Sequence, residues 1–306
     1  MSSSLLTNSA AMTALQTLRS VSSSMQTTEN RISTGMRVAT ASDNSAYWSI
    51  ATSMRADNSA LSAVSDSLGL SAATVDTEYT ALTAVLGNEG NSGLNKLEAL
   101  LVEAKTAGID RKKIQAEITQ IQQDMKNTAS SATFNGVNWL STDATTPATV
   151  NLVSSFSRVG GTPTINTITV TVADYSLYTD TQGGILDTVD ATTTVSINTI
   201  DIGALTDSAA DQTTLDGLIA QVTAAINTVA QSAANLGAIK NRISNNSDFV
   251  KSLMDSVTRG IGQLVDADMN AESTRLAALQ VQQQLGVQAL SIANQNSQSI
   301  LSLFRG

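Results

Sequence analysis

Carboxylates, lysines, tyrosines and hydroxyls are the only side chains of this sequence that could carry out chemistry. The 306 residues include no histidine and no cysteine. Catalytic triads with a histidine base, cysteine nucleophiles and zinc sites built from cysteine and histidine are therefore excluded. A zincin protease is excluded as well, because its motif needs two histidines four residues apart. The sequence predicts a protein that is not an enzyme and that needs no cofactor.

Two short motifs could still bind a small ligand. Asp266 and Asp268 form an Asp-x-Asp pair, but Ca²⁺ takes roughly six to eight oxygen ligands, so a lone pair of carboxylates is usually solvated. The sequence RGIG at 259–262 contains two glycines, yet a phosphate-binding loop also needs a preceding strand and a Lys-Ser/Thr ending. We interpret these glycines as a flexible joint between helical layers, and we predict no metal site.

The charge of the chain limits its partners. Charged residues make up 14% of the sequence and the formal net charge is −9, whereas about 25% of residues are charged in typical soluble domains. Nucleic acid and anionic membranes are excluded as partners, because binding to phosphates needs clustered lysines and arginines. Residues 276–304 have no charged side chain, but nine glutamines and asparagines interrupt the apolar residues. We therefore predict no transmembrane helix and, from the N-terminal sequence, no cleaved signal peptide.

Long helices must position whatever function the chain has. Apolar residues alternate at spacings of three and four over 47–85 and again over 215–264, which is the pattern of helices packed along one seam. Each segment would form a helix roughly 60 Å long. A shorter row over 114–125 follows Asp110, a residue type that caps helix N-termini. We expect these helices to pair in a bundle.

The helical pattern ends at a hairpin and gives way to a β-rich segment. Asn135-Gly136 between apolar residues predicts a tight β-turn, because both central residues of a type I′ turn need positive φ. Apolar residues then alternate with threonines over 167–172, which predicts a half-buried strand. The alternation returns with a break over 195–202, and we expect a second strand with a bulge there. Glycine pairs supply turns at 160–161 and 183–184.

The sequence at each end of the chain predicts an amphipathic helix. Both helices are rich in glutamine, serine and alanine and carry almost no charge. Two such helices would pair with each other, but a two-helix hairpin leaves much apolar surface uncovered. Neighbouring copies of the chain should cover the remainder. The apolar residues expected at contacts between copies are Leu5, Leu15, Leu18, Met25, Ile32, Leu276, Leu279, Leu285, Leu290, Ile300, Leu303 and Phe304.

Several blocks near the two ends resemble the bacterial flagellin family. In the first half they are LTNSAA at 6–11, RISTGMRV at 31–38, ASDNSA at 41–46 and FNGV at 134–137. In the second half they are LGAIKNRI at 236–243, DADM at 266–269 and ANQNSQSILSLFR at 293–305. The resemblance extends over about 1–142 and 207–306, and we recognise no resemblance in the middle segment.

The resemblance agrees with a mainly α fold. A long antiparallel coiled-coil or helical bundle formed by both chain ends would carry a β-hairpin and a small inserted β-rich outer domain. The expected domains are a terminal helical core layer, a rod-like helical domain with the hairpin, and the β-rich outer domain. Their residues are 1–34 with 265–306, 35–148 with 207–264, and 149–206, respectively.

The resemblance also implies a function. Members of this family self-assemble into the extracellular helical filament of the flagellum, which is used for swimming motility. The subunit is exported unfolded by a type III apparatus, and its partners are other copies, an export chaperone, and the hook-associated junction and cap proteins. Two alternatives share part of the pattern, namely a hook–filament junction protein of similar architecture and a non-flagellar coiled-coil interaction protein.

Two stretches resemble the segments of this family that plant and animal immune receptors sense. The candidate contact residues are Arg31, Ser42, Asp43, Asn44, Tyr47, Trp48, Lys96 and Glu98. Ser42, Asn44, Tyr47-Trp48 and Glu98 depart from the family pattern of Lys, Asp, Gly-Leu and Arg. A reversed charge, or an aromatic ring in place of glycine, opposes binding to a preformed groove, so we expect weak recognition. The alternative is that these residues only pack or face solvent.

Overall fold

The computed structural model describes residues 8–87, 92–159 and 162–303, and the described side chains of the last helix end at Gln295. Six helices and four strands follow one another in the described part of the chain. The helices are α1 (Ser9–Thr34), α2 (Ser45–Leu86), α3 (Gly93–Ala104), α4 (Arg111–Ser131), α5 (Ala209–Val265) and α6 (Met269–Leu303). The strands are β1 (Ser141–Thr142), β2 (Thr149–Val159), β3 (Thr162–Thr171) and β4 (Tyr178–Thr179). No described helix is both long enough and apolar enough to cross a membrane.

The chain divides into two compact units. Unit 1 comprises Met1–Ser59 with Met254–Gly306, and unit 2 comprises Ala60–Leu253. Unit 1 therefore holds α1, the beginning of α2, the end of α5 and α6. Unit 2 holds the rest of α2 and α5, with α3, α4 and all four strands.

In unit 1, α1 and α6 pack along each other in antiparallel directions. The Asn8 side chain caps α1 by accepting a hydrogen bond from the N–H of Ala11, and it also donates to the carbonyl of Ala293, 3.0 Å away. The two helices approach closely at Gly286, where an added Cβ would lie 3.0 Å from Cδ1 of Leu18. Glycine at this position therefore permits the packing.

In unit 2 the predicted apolar rows are confirmed as the core. Buried side chains follow the row on α2 from Leu61 to Val85, that on α4 from Ile114 to Met125, and that on α5 from Leu215 to Val250. The predicted cap of α4 is also confirmed, since Asp110 accepts a hydrogen bond from the N–H of Lys112.

The prediction that the apolar row of α2 is buried was wrong for the first residues of this helix, which lie in unit 1. Tyr47 and Ile50 are 40% and 49% exposed, whereas Ala51 is fully buried. A strict seven-residue repeat drifts by about 20° per heptad around a straight α-helix. The buried stripe has therefore moved to a neighbouring position at this end.

The predicted turn at Asn135-Gly136 is confirmed. The two residues have φ values of 50° and 78°, and Phe134 and Val137 exchange backbone hydrogen bonds of 2.9 and 3.0 Å. The strand predicted over 167–172 is also present, because β3 pairs antiparallel with β2 over Thr162–Thr171. Ile168 and Val170 are buried, while the alternating Thr167, Thr169 and Thr171 are exposed. The glycine pair at 160–161 lies outside the described residues.

The strand predicted over 195–202 was wrong. Ile197–Thr199 forms a 3₁₀ helix, and the residues around it form turns. Ile197, Ile200 and Ile202 are nevertheless buried. The three-residue spacing of the first two matches the three residues per turn of a 3₁₀ helix, and side chains of α4 bind the backbone of this segment.

Candidate functional site

The described part of unit 1 exposes far more apolar surface than that of unit 2. It holds ten of the fifteen large hydrophobic side chains that are exposed, although it is the smaller unit. Scattered exposed apolar residues are normal on a soluble protein, whereas a concentration of them marks a contact surface. Unit 1 is therefore the candidate surface for association.

One stripe of this surface lies on α6. Val281, Leu285 and Ile292 are 55%, 58% and 66% exposed, and their spacings of four and seven residues place them on one face of the helix. The face that packs on α1 lies on the other side of the helix, where Gly286 contacts Leu18. Helix α6 is thus apolar on two opposite faces, and α1 covers only one of them.

A second exposed group lies near the beginning of α1. Met12 is 65% exposed and Leu15 is 38% exposed. Together with the stripe on α6, these residues leave a two-helix unit without cover on its outer faces. Burial of one such side chain contributes about 1.5–3 kcal/mol.

The structure divides the predicted contact residues into three groups. Leu15 and Leu285 are exposed, as a contact between copies requires. Six others are half-buried on α1 and α6, namely Leu18, Met25, Ile32, Leu276, Leu279 and Leu290. Leu5 and Phe304 lie outside the described residues, and so do the side chains of Ile300 and Leu303.

Sequence reasoning left several exposed residues out of the predicted contact set. These are Met12, Val281, Val287 and Ile292. All of them fall outside the heptad seam, and a count of seam positions therefore passes over them. Their signal is a second apolar face on a helix whose first face already has a partner.

Polar contacts also join the two terminal helices. Nη1 of Arg31 lies 3.2 Å from Oε1 of Glu272, and Arg275 approaches the same oxygen at 3.7 Å. Glu272 is only 7% exposed, and its other oxygen has no hydrogen-bond partner in the described part of the chain. This ion pair fixes the register of α1 on α6, and it gives Arg31 a structural role.

The other candidate receptor residues of unit 1 lie in the connection to α2 and in its first turn. The Asp43 carboxylate accepts hydrogen bonds from the N–H groups of Thr40 and Ala39 and from the Thr40 hydroxyl. These bonds, with the N–H of Thr40 as the largest contribution, lower the pKa of Asp43. Asn44 caps α2 by accepting from the N–H of Tyr47, and the Thr40 hydroxyl donates to Ser42 over 3.4 Å.

Two aromatic side chains follow on the surface of α2. The guanidinium of Arg37 lies 6.0 Å from the centre of the Tyr47 ring, which is within the range of a cation–π contact. Trp48 is 37% exposed.

The two remaining candidate receptor residues lie on α3 in unit 2, and both have partners there. Lys96 forms an ion pair of 3.2 Å with Glu117. Glu98 accepts a hydrogen bond of 2.7 Å from the Thr223 hydroxyl. The charged groups of Lys96 and Glu98, which the resemblance identifies as candidate receptor contacts, are therefore both bound within unit 2.

A polar cleft of about 740 Å³ lies where α5 meets α6 in unit 1. Its lining includes Arg37, Arg259, Asp266, Asp268 and Glu272. The Asp268 carboxylate caps α6 by accepting from the N–H groups of the two residues at 270 and 271. Within the described ranges, no group of three or more acidic side chains has the arrangement of a metal site.

Comparison with known families agrees with this architecture. Residues 5–145 match the bacterial flagellin N-terminal helical region, and residues 219–304 match the bacterial flagellin C-terminal helical region. The chain is 44% identical to Flagellin C of Rhizobium meliloti (strain 1021), with 99% of each chain covered. The chain belongs to the bacterial flagellin family. It is therefore a structural subunit of the flagellar filament.

Other flagellins match over the same extent. The flagellin of Brucella melitensis biotype 1 is 46% identical over 304 residues, with 99% of both chains covered. Flagellin A of Rhizobium meliloti (strain 1021) is 40% identical over an alignment of 401 residues, with 99% of this chain and all of the relative covered. The two family regions leave residues 146–218 unmatched, which is the part that contains β2 and β3.

The charges of this flagellin family member are divided unevenly between its units. Unit 1 has seven arginines and seven acidic residues, so its formal charge is zero. Unit 2 carries the whole net charge of −9, and it holds every lysine of the chain, from Lys96 to Lys251. Like charge repels, so a neutral unit 1 suits close association of many copies.

Proposed function

We propose that unit 1 makes the main contacts between copies in the flagellar filament. The observation that carries this proposal is the exposed stripe of Val281, Leu285 and Ile292 on α6, which lies opposite the face covered by α1. The zero formal charge of unit 1 supports it further. The remaining predicted contact residues would extend this surface along both terminal helices.

We also propose that the chain has three layers in the filament. Residues 1–34 and 265–306 would form the core layer, residues 35–148 and 207–264 a surrounding helical layer, and residues 149–206 the outer layer. The outer placement is supported by β3, whose threonines are exposed.

Membership in the family supports a proposal about export and further partners. We propose that the subunit leaves the cell unfolded through the type III apparatus, without a cleaved signal peptide, and acts outside the cell as part of the filament. Its other partners would be an export chaperone and the hook-associated junction and cap proteins. We propose that the subunit has no enzymatic activity.

A matched pair of substitutions tests the contact surface. Leu285→Asp places a charge in the stripe, where burial by a neighbouring copy would leave that charge unpaired. We expect this variant to remain soluble when the parent polymerises. Ile165→Asp is the control, because Ile165 is 59% exposed on β3 and would face water in the filament. Electron microscopy and sedimentation should show filaments for this control, and filaments of Leu285→Asp at the parental concentration would refute the proposal.

Recognition by immune receptors is a second proposal. We propose that this subunit activates flagellin receptors weakly. Glu98 places a negative charge on α3 and is held there by Thr223, and exposed aromatic rings occupy positions 47 and 48. Both features oppose binding in a groove shaped for arginine and glycine.

A further inference from the structure

Glu78 is a carboxylic acid in the middle of the apolar row of α2. The residue is fully buried, as are Val75 and Leu82 on either side of it in the row. A buried carboxylate in such a row is unusual, because removal of an ionised group from water is costly unless hydrogen bonds or an opposite charge compensate. The filament function gives this side chain no role.

Only one of its two oxygens has a partner among the described residues. Oε1 accepts a hydrogen bond of 3.0 Å from the backbone N–H of Trp139, while Oε2 is buried without a hydrogen-bond partner in the described part of the chain. The arrangement therefore favours a protonated carboxyl. Burial raises the pKa of Glu78 from 4.5 to about 7, and the N–H of Trp139 offsets only part of that rise.

Among the described residues, no ion pair compensates Glu78. Burial and the Trp139 hydrogen bond are the only causes of its shift. Several charged groups on the neighbouring helices have other partners. Asp76 pairs with Lys240, which also lies over the Tyr79 ring, Lys96 pairs with Glu117, and Glu98 accepts from Thr223. Asp124, Lys126 and Asp174 are exposed. After β3, Asp187 accepts from the N–H of Thr179 and the Tyr175 ring lies near that of Trp139, whereas the Tyr178 hydroxyl is buried without a hydrogen-bond partner in the described part of the chain.

The bond from Trp139 joins Glu78 to the region where β1 begins. The Leu140 carbonyl accepts hydrogen bonds from the N–H groups of Leu177 and Tyr178, and β1 pairs with β4 immediately afterwards. Trp139 is fully buried, and its ring lies 6.4 Å from that of Tyr175. The packing around Trp139 thus connects α2 with both strands.

We propose that Glu78 is a proton-binding site that makes the attachment of residues 138–142 to α2, and the pairing of these residues with 177–179, sensitive to pH near neutrality. The protonated carboxyl is tolerated in the apolar row and keeps this packing intact. Loss of the proton leaves a buried charge with a single donor, and the packing around Trp139 loosens. The chain has no histidine, so no side chain with an ordinary pKa near 7 competes for this role.

The sign of the effect follows from the direction of the shift. Below pH 4.5 the carboxyl is protonated in both the folded and the unfolded chain. Between about pH 4.5 and 7 the folded chain keeps a proton that the unfolded chain has lost, so stability falls as pH rises. The equilibrium constant for unfolding of unit 2 should increase about tenfold per pH unit in this window and level off above it.

The fluorescence of Trp139 tests the proposal directly. The chain has two tryptophans, so Trp48→Phe leaves Trp139 as the only one. In the full-length soluble chain with this substitution, we expect the Trp139 emission to shift to longer wavelength as pH rises, with a midpoint near 7. Denaturant unfolding of the same protein from pH 5 to 9 should show the corresponding change in stability.

Variants of Glu78 identify the titrating group. Glu78→Gln and Glu78→Leu should both remove the fluorescence transition and flatten the pH dependence of unfolding. Asp66→Asn, which changes an exposed carboxylate on the same helix, should leave the midpoint unchanged. A parent chain without a transition, or a transition that persists in both Glu78 variants, would overturn the proposal.

Discussion

At the scale of single residues, Arg111 illustrates how one buried cation holds distant segments together. Its guanidinium is only 6% exposed, and it donates hydrogen bonds to the carbonyls of Ala104 and Leu205 and to the Asp207 carboxylate. The hydrogen bond from Arg111 is the largest cause of a lowered pKa at Asp207. One side chain at the start of α4 therefore holds both the end of α3 and the connection before α5.

Replacement of Arg111 should destabilise unit 2. Arg111→Met keeps the length of the side chain but leaves two carbonyl groups without their donor, which costs about 1–3 kcal/mol. Arg111→Lys should recover only part of this loss, since lysine lacks the planar fork of donors. Denaturant unfolding followed by circular dichroism measures both values. Equal stability of parent and Arg111→Met would contradict the assigned role.

Glu98 carries the prediction on receptor recognition. Glu98→Arg removes the hydrogen bond with Thr223 and restores the positive charge of the family pattern. If the contact is desolvated, the charge reversal is worth ~1 kcal/mol or more, so receptor activation should rise about fivefold. A reporter assay on receptor-bearing cells measures this, with Asp124→Arg as a control for added charge. Tyr47→Gly with Trp48→Leu should act in the same direction, and full activation by the unchanged chain would contradict the prediction.

At the scale of elements, β2 and β3 form a hairpin with adjacent ends. The N–H of Val172 donates to the carbonyl of Ala148 over 3.0 Å, so the chain enters and leaves this hairpin at one place. The segment that follows is different, because Gln115 and Gln122 of α4 bind the backbone of Ile197, Ile200 and Ile202. The hairpin contacts the bundle through Ser154, which accepts a hydrogen bond of 2.8 Å from Asn246 of α5, whereas this later segment covers α4.

Deletion of the hairpin should therefore preserve assembly. A chain that lacks residues 149–171, with two glycines joining Ala148 to Val172, should polymerise at the same concentration as the parent. An extension of the deletion to residue 200 should lower stability, because it uncovers the buried face of α4. Sedimentation and electron microscopy test both chains. If the shorter deletion stays monomeric where the parent polymerises, the hairpin takes part in contacts between copies.

Local patterns in the sequence predicted the elements whose causes are local. The heptad rows, the Asp110 cap and the Asn135-Gly136 turn depend on residues within a few positions of each other. The prediction of a strand over 195–202 failed because the apolar spacing suits a strand or a 3₁₀ turn equally. The glutamines that bind the backbone of this segment lie about 75 to 87 residues away in the sequence. Arg111 and Glu78 were not predicted as functional for the same reason, since burial of a charged group is a property of the folded chain.

At the scale of the whole molecule, the terminal helices bury little by themselves. Helices α1 and α6 cover one face of each other, and Met12, Val281, Leu285 and Ile292 remain more than half exposed. The backbone of each ordered residue costs about 1–2 kcal/mol in conformational entropy. Contacts with other copies should therefore supply much of the free energy that orders these helices.

Hydrogen exchange should show this coupling between folding and assembly. We expect amides of Ser9–Thr34 and of residues 269–295 to exchange rapidly in the soluble chain and to become protected in the filament. Amides of α2 and α5 in unit 2 should be protected in both states, because their apolar rows are already buried. Protection of the terminal amides in the soluble chain would show that α1 and α6 are stable without neighbours.

The confinement of lysine to unit 2 has a practical consequence for labelling. Reagents that modify side-chain amines will mark α3, the residue that follows it, α4 and α5, and will leave the side chains of α1 and α6 unmodified. A dye attached in this way should report on filaments without disturbing the helices proposed to hold them together. A lysine-specific protease would likewise release residues 1–96 and 252–306 as intact fragments, whereas trypsin also cuts within α1 and α6, at Arg19 and Arg275.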